Sequence, residues 1–469
     1  MENTNNGSPR RPVRRRRRRN PVHVFIQSYL PVLVVAALVI LFIIFVSGSV
    51  SRSNARREQK RQESIAAEQS EVQYLLELQA EAARLAEEAK ALAAMYDYDG
   101  AVALLDSFSG NLYDFGELLS LRDDCITARD SLVAWEDPSE VVNLSFHLLI
   151  VDPGRAFRHE GYGSSFQRNF ITVTEFNAIL QQLYDNGYIL VDRDDLFSSD
   201  SAEGCSPKTL YLPQGKKPLM LTQTHVNYYT YMTDGDGDGL ADKDGAGFAS
   251  RLILDDSGKL TCEYVDGQGQ RHTGPYDMVP ILEDFIAAHP DFSYQGARAT
   301  LAVSGYDGLF GYRTDPETAQ KISQEYYDQQ LAEVPAVINA LREAGYTIAC
   351  YTYNNLAYGN ISAAKIKDDL DRWQAEVAPL LGPVDTLVFA KESDISDTHE
   401  AYSGDKYNTL KSMGLRYFLG FCGSGEPWAT VSNDCIRMGR ILVDGNHLTN
   451  HASLFEGLFD AASVLDSSR

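Results

Sequence analysis

Five aspartates fall within eleven residues of the run TDGDGDGLADKDGAG between Met232 and Phe248. Asp234, Asp236 and Asp238 alternate, Gly239 allows a tight turn, and Asp242 and Asp244 follow. Alternating carboxylates around a glycine bend suit a hard cation, because calcium takes about six to eight oxygens and a main-chain carbonyl near Leu240 would add one. Counted from Asp234, position twelve is Gly245 rather than Glu, so this is not a complete EF-hand loop. Lys243 alone does not offset the mutual repulsion of the carboxylates, and calcium on Asp234, Asp236, Asp238 and Asp242 is the expectation, against a solvated acidic loop.

Other chemistry-bearing residues are sparser. His447 and His451 stand four apart, but Gly445, Asn446 and Asn450 argue against the helix a metal pair would need. His147 reads as a hydrogen-bonded structural histidine on an opening strand. The six cysteines, Cys125, Cys205, Cys262, Cys350, Cys422 and Cys435, include no CxxC pair, which excludes a zinc ribbon or thioredoxin-like site. Disulfides and free buried thiols both stay open.

The elements that position these residues follow from charge and periodicity. Of the formal net charge of −23, residues 1–61 contribute 13 Lys/Arg against Glu2 and Glu58, a local +11 that leaves −34 on the remaining 408 residues. So acidic a body repels phosphate backbones and excludes nucleic-acid binding. The basic cluster Arg10–Arg19 precedes Tyr29–Ser47, an uncharged apolar stretch of bilayer-spanning length, longer than the core of a cleaved signal. The Arg excess on its N-terminal side predicts a cytoplasmic tail over 1–28, a single-pass span over 29–47, and an extracytoplasmic remainder.

Residues 48–138 read as a helical stalk and neck: a long Ala/Glu/Gln/Leu-rich helix over Ala55–Met95, then helices around Asp99–Phe108 and Phe115–Val133. The heptad seam is diluted by Ala, which favours a stalk over a coiled coil. After Pro138, short apolar strands alternate with amphipathic helices. Strands are expected at 143–151, 188–192, 218–222, 299–303, 347–352, 386–389, 417–421 and 440–443, with helices at 174–186, 278–288, 323–343, 363–381 and 406–413. This alternation predicts an α/β fold over 139–469, a parallel barrel with helices outside and its site on the loops after the strands.

Those loops carry a resemblance. SFHLLIVD (Ser145–Asp152) with Ala156–Arg158, then Thr172–Leu196, KKPLMLTQTHVNYY (Lys216–Tyr229), His289–Thr314 and EAGYTIACYTYNN (Glu343–Asn355) are together similar to the polysaccharide deacetylases of the NodB-homology type. The resemblance implies a distorted (β/α) barrel and metal-dependent removal of N-acetyl groups from sugars. It also implies a divalent metal on one Asp and two His, with a second Asp as base. Here the T-F-D-D segment of that family reads Thr222-Gln223-Thr224-His225, and its H-S-x-x-H segment places Tyr351 and Asn355 at the histidine positions. Neither a tyrosine phenol nor an asparagine amide suits zinc, and the base position holds Thr224.

The reading this supports is a membrane-anchored, deacetylase-like protein without turnover, which binds cell-envelope polysaccharide or a protein partner. Asn227, Tyr228, Tyr306, Arg313, Tyr353 and Trp428, with Tyr229, Tyr351 and Tyr358 beside them, are the candidate glycan contacts, as aromatic faces for sugar rings and polar groups for hydroxyls or carboxylates. The alternatives are an active N-deacetylase with a site rearranged around His225, and a structural scaffold with no ligand.

Overall fold

The computed structural model describes residues 21–200 and 204–469, so the Arg10–Arg19 cluster lies outside the described residues. The chain divides after Glu81 into two compact units. The first is carried by a single helix, Pro21–Ala94, which takes in the apolar stretch and the Glu/Ala-rich segment without a break. Span and stalk, expected as separate elements, are therefore one: the segment between Ser47 and Ala55 holds no Pro, and its Gly, Ser, Val and Asn lower helix propensity without breaking the helix. Its apolar side chains face outward, with Phe42 67% and Phe45 74% exposed, over a length that suffices to cross a membrane.

The second unit, Ala82–Arg469, takes in the end of that helix and the two neck helices, observed at Tyr98–Asp106 and Gly116–Asp130. The expected stalk-and-neck segment 48–138 is thus split, its later part belonging to the same compact unit as the barrel. Tyr96 shows one tie, stacking on Tyr294 and donating its hydroxyl to the Asp291 carbonyl at 2.8 Å.

Eight parallel strands build the barrel region, β1 (Val142–Phe146), β2 (Tyr188–Leu190), β3 (Lys217–Thr224), β4 (Thr300–Val303), β5 (Thr347–Cys350), β6 (Thr386–Val388), β7 (Tyr417–Phe421) and β8 (Ile436–Leu442), and Ala429–Val431 adds antiparallel to β8. Among the described residues seven of them close a parallel ring in the order β1-β3-β4-β5-β6-β7-β8 and back to β1, while β2 pairs with the lower half of β3. Residues Pro218–Thr224 of β3 are all buried. Leu219 and Leu221 meet the helices outside, and Met220 belongs to the barrel interior. Such a strand, covered on both faces, reads as a continuous apolar run, which is why it was visible in the sequence.

Two features depart from expectation, and the cysteines decide an alternative that sequence leaves open. A three-stranded antiparallel sheet of Ala249–Leu254, Leu260–Val265 and Arg271–Gly274 occupies a stretch where sequence periodicity places no element. Its turns, Asp255–Gly258 and Asp266–Gly269, close on the Asp255 and Asp266 carboxylates, each of which accepts from main-chain amides. Gly445–Asn450 is a short helix after all, capped by the Asp444 carboxylate accepting from the His447 amide. All six cysteines are unpaired, five of them buried.

Candidate functional site

The barrel interior changes character along its axis. Its lower part is apolar, built from Met220, Ala349, Val388, Leu419, Ile436 and Met438. Further along the strands come Asn143 and Ser145 on β1, Thr222 and Thr224 on β3, Arg440 on β8, and Tyr351 just past β5, all buried. His147 and His225 top this polar layer and keep part of their surface in solvent. The His147 Nδ1 lies 2.6 Å from the Thr224 hydroxyl, the two imidazoles meet edge to face at 4.6 Å, and the Tyr351 ring meets His225 at 5.2 Å. Three of the four family positions, Thr224, His225 and Tyr351, are therefore one cluster, joined by a histidine read from sequence as structural. Asn355 follows on the loop after β5, its Oδ1 buried without a partner.

Backbone strain concentrates on the loops that form this mouth. His225 and Tyr228 after β3, Asp307 and Phe310 after β4, Thr352 and Asn355 after β5, and Lys391 and Glu392 after β6 all have φ between 52° and 64°. Each such residue costs on the order of 1–3 kcal/mol, and such residues gather where structure is committed to a site.

The bend after β3 is fixed from beneath by Asp277. Its Oδ1 accepts from the Gln223 amide at 2.7 Å and the Leu149 main-chain N–H at 3.1 Å, and its Oδ2 accepts from the Tyr228 hydroxyl at 2.7 Å. Burial pushes the Asp277 carboxyl up to about 6 against the pull of these donors.

Electrostatics make both imidazoles neutral at pH 7. Burial, with Arg440 and then Lys391 adding to it, takes His225 down to about 4. His147 is held well below its usual value by burial first, then by His225 and Arg440. Burial raises Tyr351 despite the opposing Arg440 guanidinium and Thr224 hydroxyl. Arg440 and Lys391 thus supply positive charge at this end of the barrel, with His447 also acting on His147 and the Glu392 carboxylate acting on Arg440.

The residues at the mouth do not fit the divalent metal of the deacetylases. Two imidazoles are present, but His147 Nδ1 is engaged by Thr224, and among the described residues no carboxylate joins the two in a metal-type grouping. Among the described residues the one grouping of three metal-type ligands lies elsewhere, at Asp234, Asp236 and Asp242, whose carboxylate oxygens come within 4.8 Å of one another. Asp238 is not part of it and accepts instead from the Leu240 amide. The loop does have a basic neighbour: buried Arg313 donates to the Gly239 carbonyl at 3.4 Å and to Thr233 Oγ1 at 3.2 Å.

Most of the expected glycan contacts lie inside the protein. Asn227 ties the Ser304–Gly308 loop to the bend, donating to the Ser304 carbonyl at 2.7 Å and accepting from the Ser304 amide at 3.0 Å. Tyr228 is committed to Asp277. Arg313 is committed to its carbonyls and Thr233, and Tyr353, 1% exposed, donates to Asp315 and Glu376. Tyr358 is likewise buried, donating to Asp369 at 2.8 Å. These residues serve the fold, and a sugar would not reach them. Trp428 edges a cavity of about 410 Å³ shared with Lys391, Glu392 and Asp394, but His399 covers its face at 4.0 Å.

Tyr306 alone of the six stands well exposed, at 45%, and the structure gives it company that sequence did not indicate. Tyr162 and Tyr231 are 46% and 39% exposed. Buried Tyr229 links them, its ring 5.6 Å from His225, 5.8 Å from Tyr231 and 5.9 Å from Tyr306, with Tyr162 5.5 Å beyond Tyr231. A ledge of tyrosine rings therefore runs from the mouth to the surface.

No protein-family model and no curated protein matches the chain. Polysaccharide deacetylases are among its structural neighbours. The deacetylase PplD of Streptococcus pyogenes, solved with acetate, aligns at 13% identity over 65% of this chain and 93% of its own, with a TM-score of 0.31. A family 4 carbohydrate esterase from Streptomyces lividans, also with acetate, aligns at 14% identity over 36% and 74%, with a TM-score of 0.19. A 4-α-glucanotransferase from Thermococcus litoralis aligns at 9% identity over 35% and 25%, with a TM-score of 0.22. Likeness this distant leaves the site to its own residues.

The lowered pKa of His225 has a definite sign. The folded value near 4 lies below the ordinary 6.5, so unfolding takes up a proton between them. The associated stability is complete above about pH 6.5 and is lost as pH falls through 4. Urea unfolding across pH 7 to 4 should show His225→Gln losing less stability than wild type; parallel profiles would contradict a neutral, desolvated His225.

Proposed function

We propose that this protein is a membrane-anchored, extracytoplasmic glycan-binding protein that uses a deacetylase-like barrel without hydrolysing its ligand. The observation that carries the reading is the exposed tyrosine ledge leading into a mouth whose residues do not make up a metal site. Exposed aromatic rings held in place by neighbours stack on sugar rings at low entropic cost, and clustered exposure of this kind marks a binding surface. Neutral His147 and His225 offer hydrogen bonds to hydroxyls at the end of the ledge. Binding of neutral chitin oligomers by the full chain should weaken about tenfold or more in Tyr231→Ala and Tyr306→Ala, with no acetate released whether or not zinc, cobalt or nickel is added. The adjacency of His147 and His225 favours the rival reading of a rearranged enzyme, and metal-dependent acetate release abolished by His225→Ala would establish it instead.

Anchoring is supported by the outward-facing apolar side chains of the N-terminal helix, and orientation by the Arg10–Arg19 cluster before it. Protease added to intact cells should digest the barrel and leave a short membrane-embedded fragment; a protected barrel would reverse the orientation.

The Asp-rich loop is proposed to take calcium through Asp234, Asp236 and Asp242, the three that converge, with Asp238 as an outer participant. Millimolar calcium should raise the wild-type Tm and leave Asp234→Ala/Asp242→Ala unmoved. An unshifted wild type, with no heat of binding in calorimetry, would reduce the loop to an acidic surface turn.

A further inference from the structure

We propose that the polar upper interior of the barrel seats a carboxylate, held by Arg440 and Asn143 and entering past His147 and His225. The idea rests on the glycan-binding reading only in naming the bearer of that carboxylate, an acidic sugar of the uronate class.

Arg440 carries a buried charge with no carboxylate in contact among the described residues, Glu392 acting on it only at longer range. Arg440 is 1% exposed, and its guanidinium donates to the Ser145 hydroxyl at 3.0 Å and the Phe389 carbonyl at 2.7 Å. Both acceptors are neutral. Its Nε has no partner, and among the described residues it forms no ion pair. Arg437, equally buried on the same strand, is neutralised conventionally by Asp394 at 3.2 Å. Buried arginines are almost always paired, because an uncompensated charge in the interior is costly.

A second orphan lies beside the first. β8 and β1 pair with Ile441 opposite Leu144, so Arg440 runs alongside Asn143. The Asn143 Nδ2 is buried with no acceptor, while its Oδ1 is already taken by the Thr222 hydroxyl at 2.9 Å. Nε–H and Nδ2–H are thus two unsatisfied donors on neighbouring strands, one of them charged. Toward the solvent, His225 Nδ1 is a third buried atom without a partner.

One guanidinium balances one negative charge, which fits a carboxylate and leaves a phosphate, at about −1.5 to −2, under-compensated. Two donors match its two oxygens, with the charge-assisted bond the stronger.

The test is thermal unfolding of the full chain in detergent with D-glucuronate, D-glucose or sodium chloride at matched ionic strength. Glucuronate well above its Kd should raise the wild-type Tm by about 2 °C or more, and glucose and chloride should not. Asn143→Asp, which supplies a carboxylate beside Arg440 from within the chain, should raise the ligand-free Tm and abolish the glucuronate shift. Arg440→Met should also lose the shift, without the fall in ligand-free Tm expected of a purely structural arginine. A wild type unmoved by glucuronate, an equal shift from chloride, or a shift that persists in Asn143→Asp would overturn the proposal. Neutral chitin-oligomer binding that is lost in Tyr231→Ala but kept in Asn143→Asp reports on the ledge alone, so the seat can fail while the glycan reading stands.

Discussion

The mouth of the barrel depends on a carboxylate that never reaches solvent. Asp277 precedes the helix Met278–Ala288 and gathers Gln223, Tyr228 and the Leu149 amide around its two oxygens. These partners come from the end of β3, from the bend beyond it and from the segment after β1, so one group sets where His225 and His147 stand relative to each other. Burial acts against its charge and the donors act for it. The outcome, a carboxyl near 6, is a compromise in which a lost donor would be felt most at neutral pH and above.

With the bend fixed from outside, the interior can be divided. Its apolar lower layers give the ring its cohesion and leave the upper layer free to be polar. Strained backbone at the strand ends, including His225, Thr352 and Lys391, is tolerable only because the scaffold beneath is over-determined. The same economy explains the buried tyrosines. Tyr353 and Tyr358 anchor loops to Asp315 and Asp369, and Asn227 stitches one loop to another. Loop residues with polar side chains have thus become the internal framework of the mouth, while Tyr162, Tyr231 and Tyr306 present its surface.

The barrel was legible in the sequence because its strands are covered on both faces and read as apolar runs between amphipathic helices. Helix Met278–Ala288 and strand Tyr417–Phe421 fall where periodicity puts them. The sheet over Ala249–Gly274 was not legible as such, since its partly exposed strands lack a continuous apolar run, although its Asp/Gly turns are present in the sequence. At the site, position along the chain located the right loops but not the direction of their side chains. Tyr228 and Tyr229 are adjacent, yet one serves Asp277 and the other the ledge. His147 carried a usable signal: it lies two residues beyond Ser145, as Thr224 lies two beyond Thr222, and those two strands pair in register. Tyr162 and Tyr231 carried none, because their meeting is a product of tertiary structure.

Net charge shapes what such a mouth can admit. The body beyond residue 61 carries −34, a field that disfavours anions at a distance, but at physiological ionic strength it is screened beyond about 8 Å. Inside the barrel Arg440 is shielded from solvent, so its attraction acts only at short range and only on a group that passes the touching imidazoles. Were His147 and His225 protonated, the entrance would attract anions indiscriminately. Neutral at pH 7, they leave the positive charge to Arg440 inside and Lys391 at the rim. Long-range repulsion with a short-range buried attraction favours ligands held by shape and stacking first and by charge second, which is the order in which the tyrosine ledge and the guanidinium are met.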